Sequence, residues 1–311
     1  MSPSTQRPAL PSGITVLERG WLSSNNILIC GASSTALIDS GYATHADQTL
    51  ALVRAALHGR PLDLLLNTHL HSDHCGGNAA LQAAYPALLT HIAPGLSAHV
   101  SSWDAQALTY TPTGQRCPQF GFDALLTPGS EIRLGDMTWQ VHAAPGHDPH
   151  SVILFEPAAR VLVSADALWE RGFGVVFPEL EGVDAFAAVG DTLDLIESLA
   201  PLAVIPGHGP AFAGVEAAIA RARDRLDGFV KQPERHITYA AKVLLKFKLL
   251  ELQRIKMPAL IAWAHATPYF LLIFNTHFSG LDFNRWVEQL VADLVRSGAA
   301  SMDGVMVRNS G

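Results

Sequence analysis

The stretch Thr68-His69-Leu70-His71-Ser72-Asp73-His74 constrains this chain more than any other. It directly follows Asp63-Leu64-Leu65-Leu66-Asn67, an apolar run of the length of a buried strand. The histidines therefore sit at a strand's carboxyl end, where sites in such sheets are built. His69 and His71 alternate, so in extended backbone both side chains leave on one side. Asp73 and His74 follow as the chain turns into Gly76-Gly77. Three imidazoles and a carboxylate so close together are costly to bury unless a cation organises them. Neutral imidazole and carboxylate are ligands that Zn²⁺ prefers and that Fe and Mn accept. Cys75, next in line, reads as a small buried residue starting a helix.

More candidates follow downstream. His147 lies in Pro145-Gly146-His147-Asp148, Asp166 follows the predicted strand Val161–Ser164, and His208 lies in Pro206-Gly207-His208-Gly209. Each comes just after a predicted strand and is flanked by glycine or small residues. A catalytic zinc that keeps an open position takes three protein ligands, so this set is the inventory of a two-metal site. His150 reads as a contact behind the site or with substrate, and the remaining histidines as structural.

Taken in order, these motifs resemble the metallo-β-lactamase-fold hydrolases. The family pattern is His-x-His-x-Asp-His, a distant Gly-His, an Asp ending a strand, and Gly-His-Gly. Here the later elements follow His74 at separations of 73, 19 and 42 residues. Asp39, in Leu37-Ile38-Asp39-Ser40-Gly41, matches the family's earlier strand-end Asp, which supports the ligands from behind. The resemblance implies an α/β fold, the αββα sandwich, with two divalent transition-metal ions in a cleft at one edge, zinc first and iron or manganese as alternatives. His69, His71 and His147 would hold one ion; Asp73, His74 and His208 would hold the other, with Asp166 bridging. The site resembles that of glyoxalase II. The commonest true β-lactamases carry Cys where Asp166 stands, which argues against β-lactam hydrolysis. The flavodiiron branch replaces the second His, present here as His71, with Glu.

Residues 1–13 are rich in Pro and Ser and read as a flexible terminus with no secretory signal. The family-like part is Ile14–Val230. Its short apolar runs read as strands at Ile14–Leu17, Asn26–Cys30, Thr35–Asp39, Met137–His142, Ser151–Phe155 and Ala203–Pro206. Helical spacing covers Thr44–Leu57, Gly76–Ala84, Asp184–Leu199 and Gly214–Val230. Thr111–Gly121, punctuated by Pro and Gly, reads as a loop. From Lys231 to Gly311 the pattern reads as helical only, over Ile237–Ile255, Ala259–Phe274 and Asp282–Val295, with a winged-helix-like extension as one form it can take. Ala259–Phe274 contains Thr267 and Pro268 and is short for a bilayer span, so no membrane is expected. Three cysteines at irregular spacing form no disulfide framework, which points to a reducing, cytoplasmic setting.

Charge is uneven: residues 1–220 carry a net −12 and residues 221–311 a net +5, with all five lysines between Lys231 and Lys256. The lysine run reads as a solvated helix face. The overall −7 disfavours nucleic acid as a partner. The expected activity is hydrolysis of an ester, thioester or lactone-type small molecule by a metal-bridging hydroxide, with Asp73 orienting it and passing its proton to the leaving group. The competing reading is a ribonuclease or phosphodiesterase whose winged-helix-like tail contacts phosphates. Trp169, Arg171, Phe173 and Phe177 follow Asp166 closely and are candidates to border the cleft and touch substrate. The apolar tail should cover one side of the cleft and contribute to a homodimer.

Overall fold

Alternation along short strands decides the layering. The computed structural model describes residues 7–310. Six strands form the first sheet, in chain order: β1 (Ile14–Leu17), β2 (Asn26–Cys30), β3 (Thr35–Ile38), β4 (Leu64–Asn67), β5 (Leu89–Ile92) and β6 (Ala124–Leu125). β1 to β3 pair antiparallel and β3 to β6 parallel. The second sheet runs β11-β10-β9-β8-β7, from β7 (Glu131–Leu134), β8 (Met137–Ala143), β9 (Val152–Glu156), β10 (Val161–Ala165) and β11 (Ala203–Pro206). Only its β10–β11 pair is parallel.

Because neighbouring strand residues point to opposite faces, each strand serves two cores. Ile27 and Ile29 of β2 meet Leu154 and Val163 between the sheets, whereas Leu28 packs outward against Val53 and Leu57. That outer face is covered by α1 (Ala46–Leu57) and, beyond the single turn α2 (Ser72–Cys75), by α3 (Asn78–Ala84). The short helices α4 (Ser97–Ser102) and α5 (Tyr110–Thr113) enclose a smaller cluster around Leu70, Cys75 and Ile92. α6 (Phe177–Leu180), α7 (Phe186–Leu199) and α8 (Val215–Lys231) lie by the second sheet, where Leu193, Ile196 and Ile219 pack on Ile153 and Leu162. The layers are those of an αββα sandwich, as the motifs implied. The segment at 111–121 is not all loop, since α5 takes its first three residues.

The C-terminal part departs further from expectation. It consists of α9 (Pro233–Leu252), β12 (Arg254–Lys256), α10 (Met257–Ala266), α11 (Pro268–Ile273), α12 (Phe283–Arg296), β13 (Ala300–Asp303) and β14 (Met306–Asn309). The region is therefore mainly but not only helical: three short strands form an antiparallel sheet in the order β12-β14-β13. Strands of three or four residues offer too few positions for a period-two signal, and Arg254-Ile255-Lys256 has one apolar residue. The stretch 259–274 is broken at Pro268 into two helices bent by 82°, as the missing proline N–H requires. Leu260, Ala264, Tyr269, Phe270 and Ile273 are buried within this chain. Among the described residues no single helix is long and apolar enough to cross a membrane, although this bent pair passes such a test by composition.

The lysines are not a uniformly solvated face. Lys246 Nζ donates to Ala299 O, Asn309 Oδ1 and Ser310 O at 2.6–2.8 Å, tying α9 to the end of the chain. Lys248 pairs with the buried Glu251 at 2.5 Å. Lys231 and Lys256 are exposed.

Candidate metal centre

Five strand ends converge on one edge of the sandwich. β4 delivers His69 and His71, and α2 then carries Asp73 and His74. β3 ends before Asp39, β8 before the His147 loop, β10 before Asp166, and β11 before His208. Two of these ends bend through left-handed backbone at non-glycine residues, Asp39 (φ 58°) and Ala165 (φ 45°). Such conformations cost about 1–3 kcal/mol each and persist where surrounding structure enforces them. Here Gly207 N–H donates to Ala165 O at 2.7 Å, and Asn26 Nδ2 donates to Asp39 O at 3.0 Å.

The seven ligand candidates fall into two groups, His69–His71–His147 and Asp73–His74–Asp166–His208, with ligand atoms in each within 4.8 Å of one another. His71 Nδ1 lies 3.1 Å from His69 Nε2 and 2.8 Å from His147 Nε2. The opposite nitrogens are held outward: His147 Nδ1 on Val175 O at 2.5 Å, His69 Nδ1 by Thr68 Oγ1 at 3.2 Å, and His71 Nε2 facing Asp148 Oδ2 at 3.7 Å. Thr68 Oγ1 gives its own proton to Asp39 Oδ2 at 2.8 Å, so it accepts from His69. If each outer nitrogen carries the proton, three lone pairs point at one another. That arrangement is repulsive by itself and is what a cation satisfies.

The second group is built alike. His74 Nδ1 donates to Asp39 Oδ2 at 2.8 Å, which turns a buried Nε2 without a hydrogen-bond partner toward Asp166 Oδ2 at 3.5 Å. His208 Nε2 sits 3.1 Å from Asp73 Oδ2. Asp166 Oδ2 faces both groups, 3.5 Å from His147 Nε2 and 3.8 Å from His208 Nε2. The donor set of imidazole nitrogens and carboxylate oxygens fits a pair of divalent transition-metal ions.

Protonation follows the same division. Burial, reinforced by neighbouring imidazoles, holds His69 well below its ordinary range. Burial likewise pushes His71 and His147 down to about 4, so all three are neutral ligands near neutral pH. Burial opposes charge on His74 as well, but Asp166, Asp39 and Asp73 overcome it and raise its pKa well above the ordinary value. Burial also works against ionised Asp166, yet His208 and His74 hold its carboxyl well below the usual range. Negative charge concentrated here is the complement of a bound cation.

Above the ligands opens a cleft. His71, Asp73, His147, Asp166 and His208 form its floor, and Trp169 and Phe177 stand in its walls. Trp169 Nε1 donates to Asp166 Oδ1 at 3.1 Å. The other sequence candidates lie elsewhere. Phe173 is buried beneath the loop against Phe229, Arg171 is exposed outside the cleft lining, and His150 is exposed beside Gly95. In a run alternating Gly with aromatics only some rings reach the cleft, and Phe173 fell to the core side. Sequence reasoning missed Trp21, which stacks on His208 with ring centroids 5.4 Å apart, and Asp148 behind His71. Asp148 was readable as the acid adjoining His147; Trp21 carried no signal. It also missed Tyr239, Val243, Leu244 and Phe247, by which α9 closes one wall. This placement agrees with the expectation that the tail covers the cleft.

Comparison with known proteins follows the same lines. The sequence profile of the metallo-beta-lactamase superfamily matches residues 19–208. A hydroxyacylglutathione hydrolase from Anaeromyxobacter dehalogenans is 30% identical over 222 residues, covering 69% of this chain and 72% of that protein. One from Brucella anthropi is 27% identical over 228 residues, covering 71% and 72%. Among solved structures, a beta-lactamase domain protein from Burkholderia ambifaria superposes with a TM-score of 0.61 at 20% identity, covering 98% of this chain and 94% of that one. A protein solved in a di-iron-bound form is 30% identical, with a TM-score of 0.52, covering 65% of this chain and 96% of that one.

Proposed function

The chain belongs to the metallo-beta-lactamase superfamily and is a metal-dependent hydrolase, and we propose that it works with two ions on an ester, thioester or lactone carbonyl of a small molecule. The observation that carries this reading is Asp166 Oδ2 lying between the two ligand groups at the floor of an open cleft. His69, His71 and His147 would hold one ion, Asp73, His74 and His208 the other, and Asp166 both. Ions held there supply Lewis acidity and a water acidic enough to ionise near neutral pH. Zinc suits the donor set; iron does too, as a relative solved in a di-iron-bound form illustrates.

The chain's own groups do the rest. Asp73 Oδ2 and His208 Nε2, 3.1 Å apart, would face the same ion, which leaves Asp73 Oδ1 to orient the attacking water. The water oxygen bonds to the acyl carbon, the acyl–oxygen or acyl–sulfur bond breaks, and Asp73 passes the water's proton to the leaving group. Asp39 keeps His74 Nδ1 protonated, so that Nε2 faces inward. Trp21 and Trp169 flank His208 and shed water from that side.

The phosphodiesterase reading draws on the C-terminal order of helix, strand, three helices and two strands, which is winged-helix-like. Against it, Lys246 and Lys248 are committed to intramolecular partners, which takes two of the five lysines out of reach of phosphate. Cysteines unpaired at positions 30, 75 and 117 suit a reducing, cytoplasmic setting. Elemental analysis of metal-replete protein should return close to two ions per chain, and His69→Ala should lose metal and hydrolysis together. One ion at full activity would refute the two-ion reading. Cleavage of phosphodiesters but of no ester, thioester or lactone would replace the carbonyl reading.

A further inference from the structure

We infer that the substrate is a neutral ester or thioester whose acyl part is an extended apolar chain lying along α9; this rests on the hydrolase reading of the same site. Tyr239, Val243 and Phe247 recur every four residues with Leu244 beside them, one stripe of α9 turned into the cleft. Facing them is Phe177, whose ring packs edge-on to His71 and His147 with centroids 4.9 and 5.7 Å apart. The apolar wall therefore begins beside the metal ligands at Phe177 and includes Val243, Leu244 and Phe247 of α9. A helix face buried for packing alone would be covered; this one borders the open cleft above the ligands.

Charge decides what the substrate cannot carry. Among the described residues no Lys or Arg lines the cleft. Three cations of this region are engaged elsewhere. Arg116 Nε pairs with Glu251 at 3.3 Å, and Lys248 joins the same carboxylate while lying over Trp263. Arg225 is stacked behind the wall on Phe173, Phe229 and Tyr239. The polar lining away from the ligands is neutral: Thr109, Thr113 and Gln115. A leaving group bearing carboxylates would lose water on entering and find no counter-charge from the walls. A neutral chain, by contrast, exchanges water for Val243, Phe247 and Phe177.

The test pairs hydrolysis with binding on metal-loaded full-length protein. Thioesters of N-acetylcysteamine with acetyl, butanoyl, hexanoyl and octanoyl groups are compared with the same acyl groups on glutathione. Each buried methylene is worth up to roughly four-fold, so kcat/KM should rise by about ten-fold or more from acetyl to octanoyl. The octanoyl group should also react better on the neutral thiol than on glutathione. Val243→Asp should collapse the octanoyl-to-acetyl ratio. Binding of the uncleavable S-octyl and S-ethyl thioethers of both thiols is followed by tryptophan fluorescence, which Trp21 and Trp169 report. A flat or falling chain series, or a preference for the glutathione compounds, in either measurement overturns the inference while leaving a hydrolase. Chain-dependent binding of neutral thioethers with no hydrolysis of any ester, thioester or lactone supports the cleft assignment and removes the hydrolase reading instead.

Discussion

Acidification should loosen the seat of α9 through one histidine. His236 is 1% exposed, its ring packed on Phe186 and Phe229 with centroids 5.3 and 5.0 Å apart. Its Nε2 accepts the Val176 N–H at 3.0 Å. Burial, with the Arg225 charge adding to it, lowers this imidazole to about 4. The unfolded chain, titrating near 6.5, thus takes up the proton first as pH falls. Stability is complete above about 6.5 and is lost progressively toward about 4. At 1.36 kcal/mol per unit the whole window is worth about 3 kcal/mol, of which about 2 kcal/mol falls between about pH 7 and pH 5. His236→Gln keeps an acceptor for Val176 and removes the titration. Urea unfolding of both proteins at several pH values isolates the term, since every other histidine is common to the two. The variant should gain about 2 kcal/mol on the wild type over that interval. Parallel stability curves would refute the reasoning. Because the neighbouring Val175 carbonyl holds His147 Nδ1, the same acid range should also disturb the site.

Asp39→Asn deprives His74 Nδ1 of its carboxylate acceptor, so one of the two proposed ions should bind about 10–100-fold more weakly in a chelator competition. Gly207→Ala places a methyl group against Asp166 Oδ1 and 3.0 Å from His74 Cε1; metal content should fall, whereas Gly190→Ala, with space around it in α7, should retain both ions. Lys246→Met removes the donor for three acceptors around the end of the chain and should cost about 2 kcal/mol in chemical denaturation. Pairing of two copies through the C-terminal part is proposed from exposed Leu281 (57%) and Val305 (60%); light scattering should give twice the chain mass, and a monomer at high protein concentration withdraws the proposal.

The candidate ligands were legible because each closely follows a strand in sequence. His69 and His71 leave β4, Asp166 leaves β10 and His208 leaves β11, so residue type and the preceding apolar run sufficed. Period marked most strands and the long helices, whereas the sandwich arrangement followed from the resemblance of the motifs, and the short strands β5, β6 and β7 carried no period of their own. The walls of the cleft were not legible. Tyr239, Val243 and Phe247 show the spacing of any helix that packs on a core, and the pattern is identical whether the opposite face is protein or open space. Trp21 lies far in sequence from His208, and no local signal joins them. The short strands β12 to β14 are stabilised by one another and by the buried Val307, not by their own periodicity. Lys246 likewise reads as a solvent residue until the folded end of the chain brings three acceptors to it. Chemistry built from strand ends is local and so is written along the chain. Which apolar faces remain uncovered, and which charges find partners, depends on residues brought together from distant positions, and only the tertiary structure decides that.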